Sequence, residues 1–451
     1  MYSCGPTVYD NQHIGNLANV VFVDTLRRVL EYNGYSVQQV INFTDFGHLT
    51  SDADEGEDKM VLGLRREGLA LTIGNMRALA DMYITGFFAD IHALNVRTHD
   101  TQFPRASDYI HAQIALIQTL EEKGYAYETS DGVYFDTTKF SNYGALGGQS
   151  TTEQEAGARV AVRSEKRNFR DFVLWKKGTT LGWDSPWGKG FPGWHIECSA
   201  MIRSCLGKQI DVHTGGIEHI GVHHNNEIAQ SEAATGRAPL SRFWLHRAHI
   251  QIEGRKISKS IGNTVYLRQI IDRGYSPLAY RYWLLTAHYR TPANFTWEAL
   301  AGAHAALKRL HRYFVDELSV TEGDVHEEYQ NRFHAYINDD LDTPKAVALL
   351  WELMKDDTIS REDKQATLLN FDTVLGLGLS ESDDTRQQLL SGAGHKLSVS
   401  DTPPEVQELV TQREEVRKDK DFERADALRE QLRQKGYIVE DTEKGPKLLK
   451  T

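Results

Sequence analysis

Cysteine is scarce in this chain: 451 residues hold three, Cys4, Cys198 and Cys205. An odd, widely spaced trio excludes a disulfide framework and leaves each thiol as a metal ligand or a buried side chain. Long apolar runs are missing too. No stretch approaches the roughly 20 residues of a membrane span, and no signal peptide opens the chain. No membrane partner is therefore expected, and the expected location is the cytoplasm. Nor is there an excess of positive charge. Lys and Arg number 51 against 63 Asp and Glu, a net charge of −12. That balance excludes a broad basic surface for sequence-independent duplex binding, although local basic patches remain able to hold a nucleic acid. Internal repeats are absent. What is present, 40% hydrophobic and 25% charged residues, is ordinary for a globular protein, long enough for about three domains.

The pattern along the chain predicts an α/β protein. A strand at the start, the turn "HIGN", a helix over "LANVVFVDTLRRVLEYNGY" and the strand "SVQQVINFTD" make a βαβ unit and the beginning of a parallel sheet. Val20, Val23, Val29 and Leu30 fall near one stripe of that helix, and Asn33-Gly34 stops it. A helical segment runs from Leu62 to Leu94. "GYAYETSDGVYFDTT" reads as a hairpin around Ser130-Asp131-Gly132, and "SNYGALGGQSTTEQEAGARV" as an exposed loop. "GKQIDVHTGGIEHI" returns to a strand, and "HHNNEIAQSEAATG" to a helix closed by Gly236. A sheet domain split by an insertion is expected. The remainder is helical, then a polar linker ending in Pro403-Pro404, a charged helix over 404–435 and a short strand "YIVED". The expected boundaries are 1–105 and 185–245 for the two halves of the sheet domain, 106–184 for the insertion, 246–305 for a region carrying "KISKS", 306–400 for a helical bundle and 401–451 for the tail.

Two groups of residues have chemistry to offer. Cys4 ends the first strand, Cys198 lies in "PGWHIECSAM", and His223 and Glu227 are four apart on one helix face. Two thiolates, an imidazole and a carboxylate suit Zn²⁺. Spacing leaves open whether His223 or His224 is the ligand, and the bland reading is two buried thiols beside a solvated His–Glu pair. His195, His213 and His219 crowd the same region as candidate outer partners, while Cys205 reads as a core thiol. The second group pairs "HIGN" (His13 to Asn16) with "KISKS" (Lys256 to Ser260). A helix start attracts phosphate, and two lysines in a serine-rich loop suit a polyphosphate. A lysine loop is otherwise plain solvated surface.

With these motifs in hand, the chain resembles the class I aminoacyl-tRNA synthetases, and within them the cysteinyl-tRNA synthetase family. "HIGN" is similar to the class motif His-Ile-Gly-His, "KISKS" to Lys-Met-Ser-Lys-Ser, and "MYSCGPTVYD", "FPGWHIECSAM", "VHHNNEIAQSEAATG" and "ERADALREQL" to cysteinyl-specific stretches. The resemblance implies a Rossmann-like catalytic domain, a helical bundle and a C-terminal anticodon-binding region. It implies one Zn²⁺ on Cys4, Cys198, His223 and Glu227, choosing His223 over His224. It further implies that His13, Asn16, Lys256 and Lys259 act on the ATP phosphates with Mg²⁺, that Gly15, Gly215 and Gly216 approach the nucleotide, and that Thr44 and Trp194 contact L-cysteine. The implied partners are ATP, L-cysteine and cysteine tRNA, and a monomer is expected. Three departures stand out. Asn16 replaces the second motif histidine, Ala18 stands where an arginine is common, and relatives carry a further segment with a strand ahead of the match to Met1. Either Met1 is internal to a longer reading frame, the hypothesis favoured here because a flanked strand would hold Cys4 better than a free terminus, or the protein lacks an edge element. Two other readings remain: a ligase joining cysteine to a small amine, and a zinc-containing tRNA-binding protein without activation chemistry.

Overall fold

The computed structural model describes residues 1–49, 56–147, 165–179, 181–257, 262–318, 322–380, 396–397, 399, 402–418, 421–435, 437–442 and 445–450. Its strands in chain order include Tyr2–Ser3 (β1), Gln39–Ile41 (β2), Thr101–Gln102 (β3), Ala126–Glu128 (β4), Gly132–Phe135 (β5), Phe172–Lys177 (β6), Gly190–Pro192 (β7), Ile210–Gly216 (β8) and Ser241–Arg247 (β9). A five-stranded sheet runs β3-β2-β1-β8-β9, and all its pairings are parallel. The strand order reverses between β1 and β8, so the crevice at their carboxyl ends is a topological switch point, where α/β sheets gather ligands. Cys4 follows β1, and Gly215-Gly216 end β8. The expected split sheet is thus present.

The insertion forms its own antiparallel sheet, β4-β5-β6-β7, with β4 and β5 making the hairpin read at Ser130-Asp131-Gly132. Its apolar face packs Phe135, Leu174 and Trp175 with Leu116 and Leu120 of the helix Ile110–Glu122. The glycine-rich stretch that follows is described only to Gly147, and this part is docked: Tyr143 Oη donates to Asn226 Oδ1 at 2.6 Å.

The helix Ile14–Tyr32 buries far more than the stripe read from its valines. Ile14, Leu17, Ala18, Val21 and Phe22 are buried as well as Val23 and Val29, whereas Val20 and Leu30 are only half-buried. The helix packs against the sheet on one side and the bundle on the other, so most of its circumference is covered. That covering includes charge. Asp24 accepts from Arg28 Nε at 2.8 Å and pairs with Arg281 Nη2 at 2.6 Å, all three side chains being buried. Arg281 also donates to the carbonyls of Leu375 at 2.7 Å and Leu94 at 3.0 Å.

The Leu62 to Leu94 segment is two helices, Lys59–Arg66 and Ile73–Ala93, because Gly68 turns the chain at φ 67°. The bundle comprises Trp297–Glu317, Glu327–Asn338, Thr343–Lys355 and Arg361–Leu375, with Phe333 stacked on Phe371 at 4.1 Å. The single charged helix expected in the tail is instead a pair, Pro404–Lys418 and Phe422–Gln434. Val406, Val410 and Leu432 share their core with Tyr437 and Val439. "YIVED" extends to Tyr437–Thr442 and pairs antiparallel with a strand not foreseen, Gly445–Lys450.

Candidate active site and metal centre

A cleft of about 340 Å³ opens at the switch point. Its lining includes Cys4, Cys198 and His223 of the expected ligands, together with His13, Asn16, Thr44, Trp194 and Gly215. Residues separated by 219 positions in sequence meet here because β1 and β8 are neighbours in the sheet. Gly5, just after β1, lets the chain pass close to the end of β2: a Cβ there would lie 1.7 Å from the Asn42 carbonyl oxygen. Cys198 projects from the helix Trp194–Cys205, and His223 and Glu227 from the helix His223–Thr235, which Gly236 ends at φ 67°.

At the floor, one ligand atom each from Cys4, Cys198, His223 and Glu227 lies within 4.8 Å of the others. Cys4 Sγ is 3.6 Å and His223 Nε2 is 3.0 Å from Glu227 Oε1. Ligands around a tetrahedral zinc stand roughly 3.3–3.8 Å apart, so the set needs little adjustment. His223 Nε2 is buried and faces the other candidate ligands, 3.0 Å from Glu227 Oε1, so that its proton stands where a metal cation would. The charges agree. Burial pushes the Cys198 thiol up, but Cys4 and His223 beside it outweigh this and bring it down to about 6. Burial likewise opposes a charge on His223, yet Glu227 and Cys198 raise it to about 10. Against burial, His213 and His223 hold the Glu227 carboxyl well below the usual carboxylate range. The residues present fit a thiolate-binding divalent ion.

An imidazole layer surrounds this floor. His195 Nδ1 lies 2.8 Å from His223 Nδ1, and His213 Nε2 lies 2.8 Å from Glu227 Oε2. Both were read as outer partners in the sequence. His48 and His246 were not. His48 stacks on Trp194 with centroids 4.0 Å apart and an interplanar angle of 8°, and meets Lys59 Nζ at 2.6 Å. His246 meets His224 Nδ1 at 2.8 Å. No sequence spacing points to either, since one follows a glycine turn and the other sits in an edge strand. Trp194 is half-buried between His48 and His223, the latter 4.1 Å away. Thr44 is buried and donates to the Glu197 carboxylate.

The upper cleft is formed by the helix start. His13 caps its own helix, its Nδ1 accepting from Asn16 N–H at 3.2 Å, and Asn16 Nδ2 donates to Gln12 Oε1 at 2.6 Å. This turn is stitched to the chain just past "KISKS": Ile14 N–H donates to the Val265 carbonyl at 2.8 Å, and Tyr280 Oη to the Ile14 carbonyl at 2.8 Å. Gly15 is packed by Ile257, whose Cδ1 would lie 2.8 Å from an added Cβ. The two motif loops therefore adjoin.

Other expected residues stand apart. Lys256 is exposed on the strand Arg255–Lys256 and does not line the cleft, and Lys259 lies outside the described residues. Gly216 and Gly15 do not line it either. At Gly215, a Cβ would lie 2.6 Å from His219 Nδ1, so this glycine makes room for an imidazole. Ala18 is fully buried and away from the cleft. Cys205 is half-buried rather than in the core, its thiol 3.4 Å from Tyr109 Oη, because it lies in the last turn of its helix. In the tail, Arg413 is buried and pairs with Glu414 at 2.5 Å, which removes it from the cations able to meet phosphate; Arg424 and Arg429 are exposed. No helix among the described residues is long and apolar enough to cross a membrane.

A sheet with its ligand crevice at the switch point, and a helix-start motif laced to a lysine loop, define the class I aminoacyl-tRNA synthetase fold. Solved structures agree. Methionyl-tRNA synthetase of Mycobacterium tuberculosis, in complex with methionyl-adenylate, superposes with a TM-score of 0.57 at 14% identity, covering 86% of this chain and 91% of that one. The ternary complex of Agrobacterium radiobacter LeuRS with tRNA and LeuAMS gives 0.63 at 12% identity over 86% and 85%. Sequence comparison goes further. The class I (C) tRNA synthetase catalytic domain matches residues 1–305, and the cysteinyl-tRNA ligase anticodon binding domain matches 399–446. Cysteine–tRNA ligase 1 of Burkholderia lata is 46% identical over 99% of this chain and 92% of its own length. The cysteine–tRNA ligase of Treponema denticola is 39% identical over 98% and 93%. The chain belongs to the cysteinyl-tRNA synthetase family.

Proposed function

We propose that this protein activates L-cysteine with ATP to cysteinyl-adenylate and pyrophosphate, then transfers the cysteinyl group to the 3′ end of cysteine tRNA, as a cytoplasmic monomer. The observation that carries the reading is the S₂NO floor of Cys4, Cys198, His223 and Glu227 beneath the His13 turn, in a chain of this family. Zn²⁺ held by those four would distinguish the substrate thiol from the hydroxyl of serine, since a soft thiolate binds such an ion and a hydroxyl does not. Shape alone senses the exchange of sulfur for oxygen poorly.

The chain's own groups do the positioning. Trp194, fixed by its stack on His48, forms one wall for the amino acid, and Thr44 reaches it from the β2 side. The cysteine carboxylate attacks the α-phosphorus of ATP, and the bond to the pyrophosphate oxygen breaks. Such a step needs alignment and charge stabilisation more than proton transfer. His13 and Asn16 in the cleft, with Lys256 and Lys259 brought to them from the adjoining loop, hold the phosphates, with Mg²⁺ accompanying the leaving pyrophosphate, and Gly215 lines the approach to the nucleotide. Asn16 contributes an amide donor where a charged imidazole would also serve.

Cysteine-dependent exchange of pyrophosphate into ATP tests the reading. Exchange is expected with cysteine and not with serine; none with either would leave a tRNA-binding protein without activation chemistry. Lys259→Ala should slow single-turnover adenylate formation by roughly 10²–10³-fold with little change in substrate affinity, and Lys256→Ala by less. An unchanged single-turnover rate in Lys259→Ala counts against the clamp. The match of the tail to an anticodon-binding domain favours tRNA over a small amine as acceptor. Base contacts are worth about 1–3 kcal/mol each, so deleting residues 401–451 should lower charging of cysteine tRNA by at least about 100-fold, mainly through tRNA affinity, while sparing pyrophosphate exchange. Full charging by the truncated protein would refute the anticodon role.

A further inference from the structure

The floor of Cys4, Cys198, His223 and Glu227 accounts for the thiol of cysteine and leaves its carboxylate unassigned. That carboxylate is an anion that must approach a second anion, the α-phosphate of ATP, and hold its place there. Among the described residues, Lys59 is the only lysine or arginine that lines the cleft. It is half-buried and shares the lining with His48, Thr44 and Trp194, the wall proposed for the amino acid.

The fold fixes this side chain closely. Lys59 Nζ lies 2.6 Å from His48 Nε2, and Thr7 Oγ1 lies 2.6 Å from His48 Nδ1. Burial, and then the Lys59 charge, hold His48 well below the usual histidine range, so the ring is neutral. An ammonium only donates, so Nε2 accepts from it, and Nδ1 carries the ring proton and donates to Thr7. A neutral ring orients the ammonium without cancelling its charge. The same ring is stacked on Trp194 at 4.0 Å and 8°. The backbone is tied at this place too. Lys59 N–H donates to the His48 carbonyl at 2.9 Å, and Gly47 N–H to Asp58 Oδ2 at 2.7 Å. Asp58 Oδ1 caps the helix Lys59–Arg66 by accepting from Met60 N–H at 2.8 Å. Lysine is a poor choice for the first position of that helix on local grounds, because its charge opposes the helix dipole. A local rule broken inside a cleft points to function.

We propose that Lys59 holds the carboxylate of the bound L-cysteine and presents it to the α-phosphorus of ATP. The inference rests on the activation reaction proposed above and adds a substrate contact to it. One carboxylate oxygen bonds to phosphorus, the bond to pyrophosphate breaks with its electron pair on the leaving oxygen, and no proton moves. Lys59 donates to the other oxygen, which becomes the carbonyl oxygen of the adenylate. Its charge offsets the repulsion between carboxylate and phosphate as they close, an effect that is stronger in a cleft than in open water. Held at the carboxylate as well as at the thiol, the amino acid is fixed at two points and its line of attack is set.

Calorimetric titration of the zinc-loaded full-length protein with L-cysteine, and separately with cysteamine, tests this contact. Cysteamine keeps the thiol and the amine and lacks the carboxylate. Lys59→Gln should weaken L-cysteine by about 10–100-fold, the worth of a hydrogen bond to a charged group, and leave cysteamine unchanged. Lys59→Met, uncharged and of similar length, should give the same split, with its cysteamine binding as the sign of an intact fold. Equal loss of both ligands would make Lys59 only a prop for His48 and Trp194 and overturn the proposal. Unchanged L-cysteine affinity in both variants overturns it too. Wild-type protein that binds neither ligand would refute cysteine activation itself, and this contact with it.

Discussion

Serine at position 198 is expected to cost this protein its metal and its amino acid together. Cys198→Ser should lower kcat/KM for cysteine in pyrophosphate exchange by more than about 100-fold, beyond the 10–100-fold typical of losing only an outer partner of a metal ligand. The reason is chemical. The Cys198 thiol, brought down to about 6, is a ready thiolate, whereas a serine hydroxyl stays protonated and hard. The loss should appear as depleted zinc in the purified variant and as weaker cysteine binding, with ATP affinity little changed. Cys4→Ser should follow the same pattern. Cys205→Ser is the control, because its thiol meets Tyr109 and lies outside the candidate ligands. A Cys198→Ser protein with full zinc and normal cysteine affinity would contradict the assignment.

The second large effect is on stability. Asp24→Ala would leave Arg28 and Arg281 buried without their shared carboxylate. Breaking a buried pair by removing one partner costs about 3–5 kcal/mol, so the denaturation midpoint should fall by a corresponding amount. The pH dependence has a definite sign. Burial would push the Asp24 carboxyl up, but Arg281 and Arg28 hold it below its ordinary value. Its stabilisation is therefore fully present above the unfolded carboxylate pKa of about 3.9 and is lost as pH falls through the lower folded value. The parent should lose this increment on acidification and Asp24→Ala should not. Equal stability of the two proteins at neutral pH would show the pair to be energetically neutral.

Much of the site was legible because its chemistry is carried by short local patterns. His223 and Glu227 are fixed on one face by helical spacing, and "HIGN" marks a helix start by its own residues. The tail was less legible. A run of charged residues from 404 to 435 has the composition of one helix. The break after Lys418 follows from the packing of Val406 and Val410 on Leu432, Tyr437 and Val439, which requires the second helix to fold back. Arg413, one of the cations of that run, is itself buried, which its charge alone does not suggest.

Sequence by itself determined the family, the α/β plan, the insertion and the identity of the candidate ligands, since residue types and close spacing express donor chemistry and helix geometry directly. Only the tertiary structure decided which groups meet. It placed Cys4 beside Glu227, set His48 against Trp194 and His246 behind His224, and buried Asp24 between two arginines. Apart from Asp24 with Arg28, four residues on in the same helix, those contacts join residues tens to hundreds of positions apart. They arise from the order β3-β2-β1-β8-β9 and from covering the first helix on nearly every side. A linear pattern carries no information about which of many polar residues will be enclosed together; burial selects them, because a charge taken from water must find its partner inside.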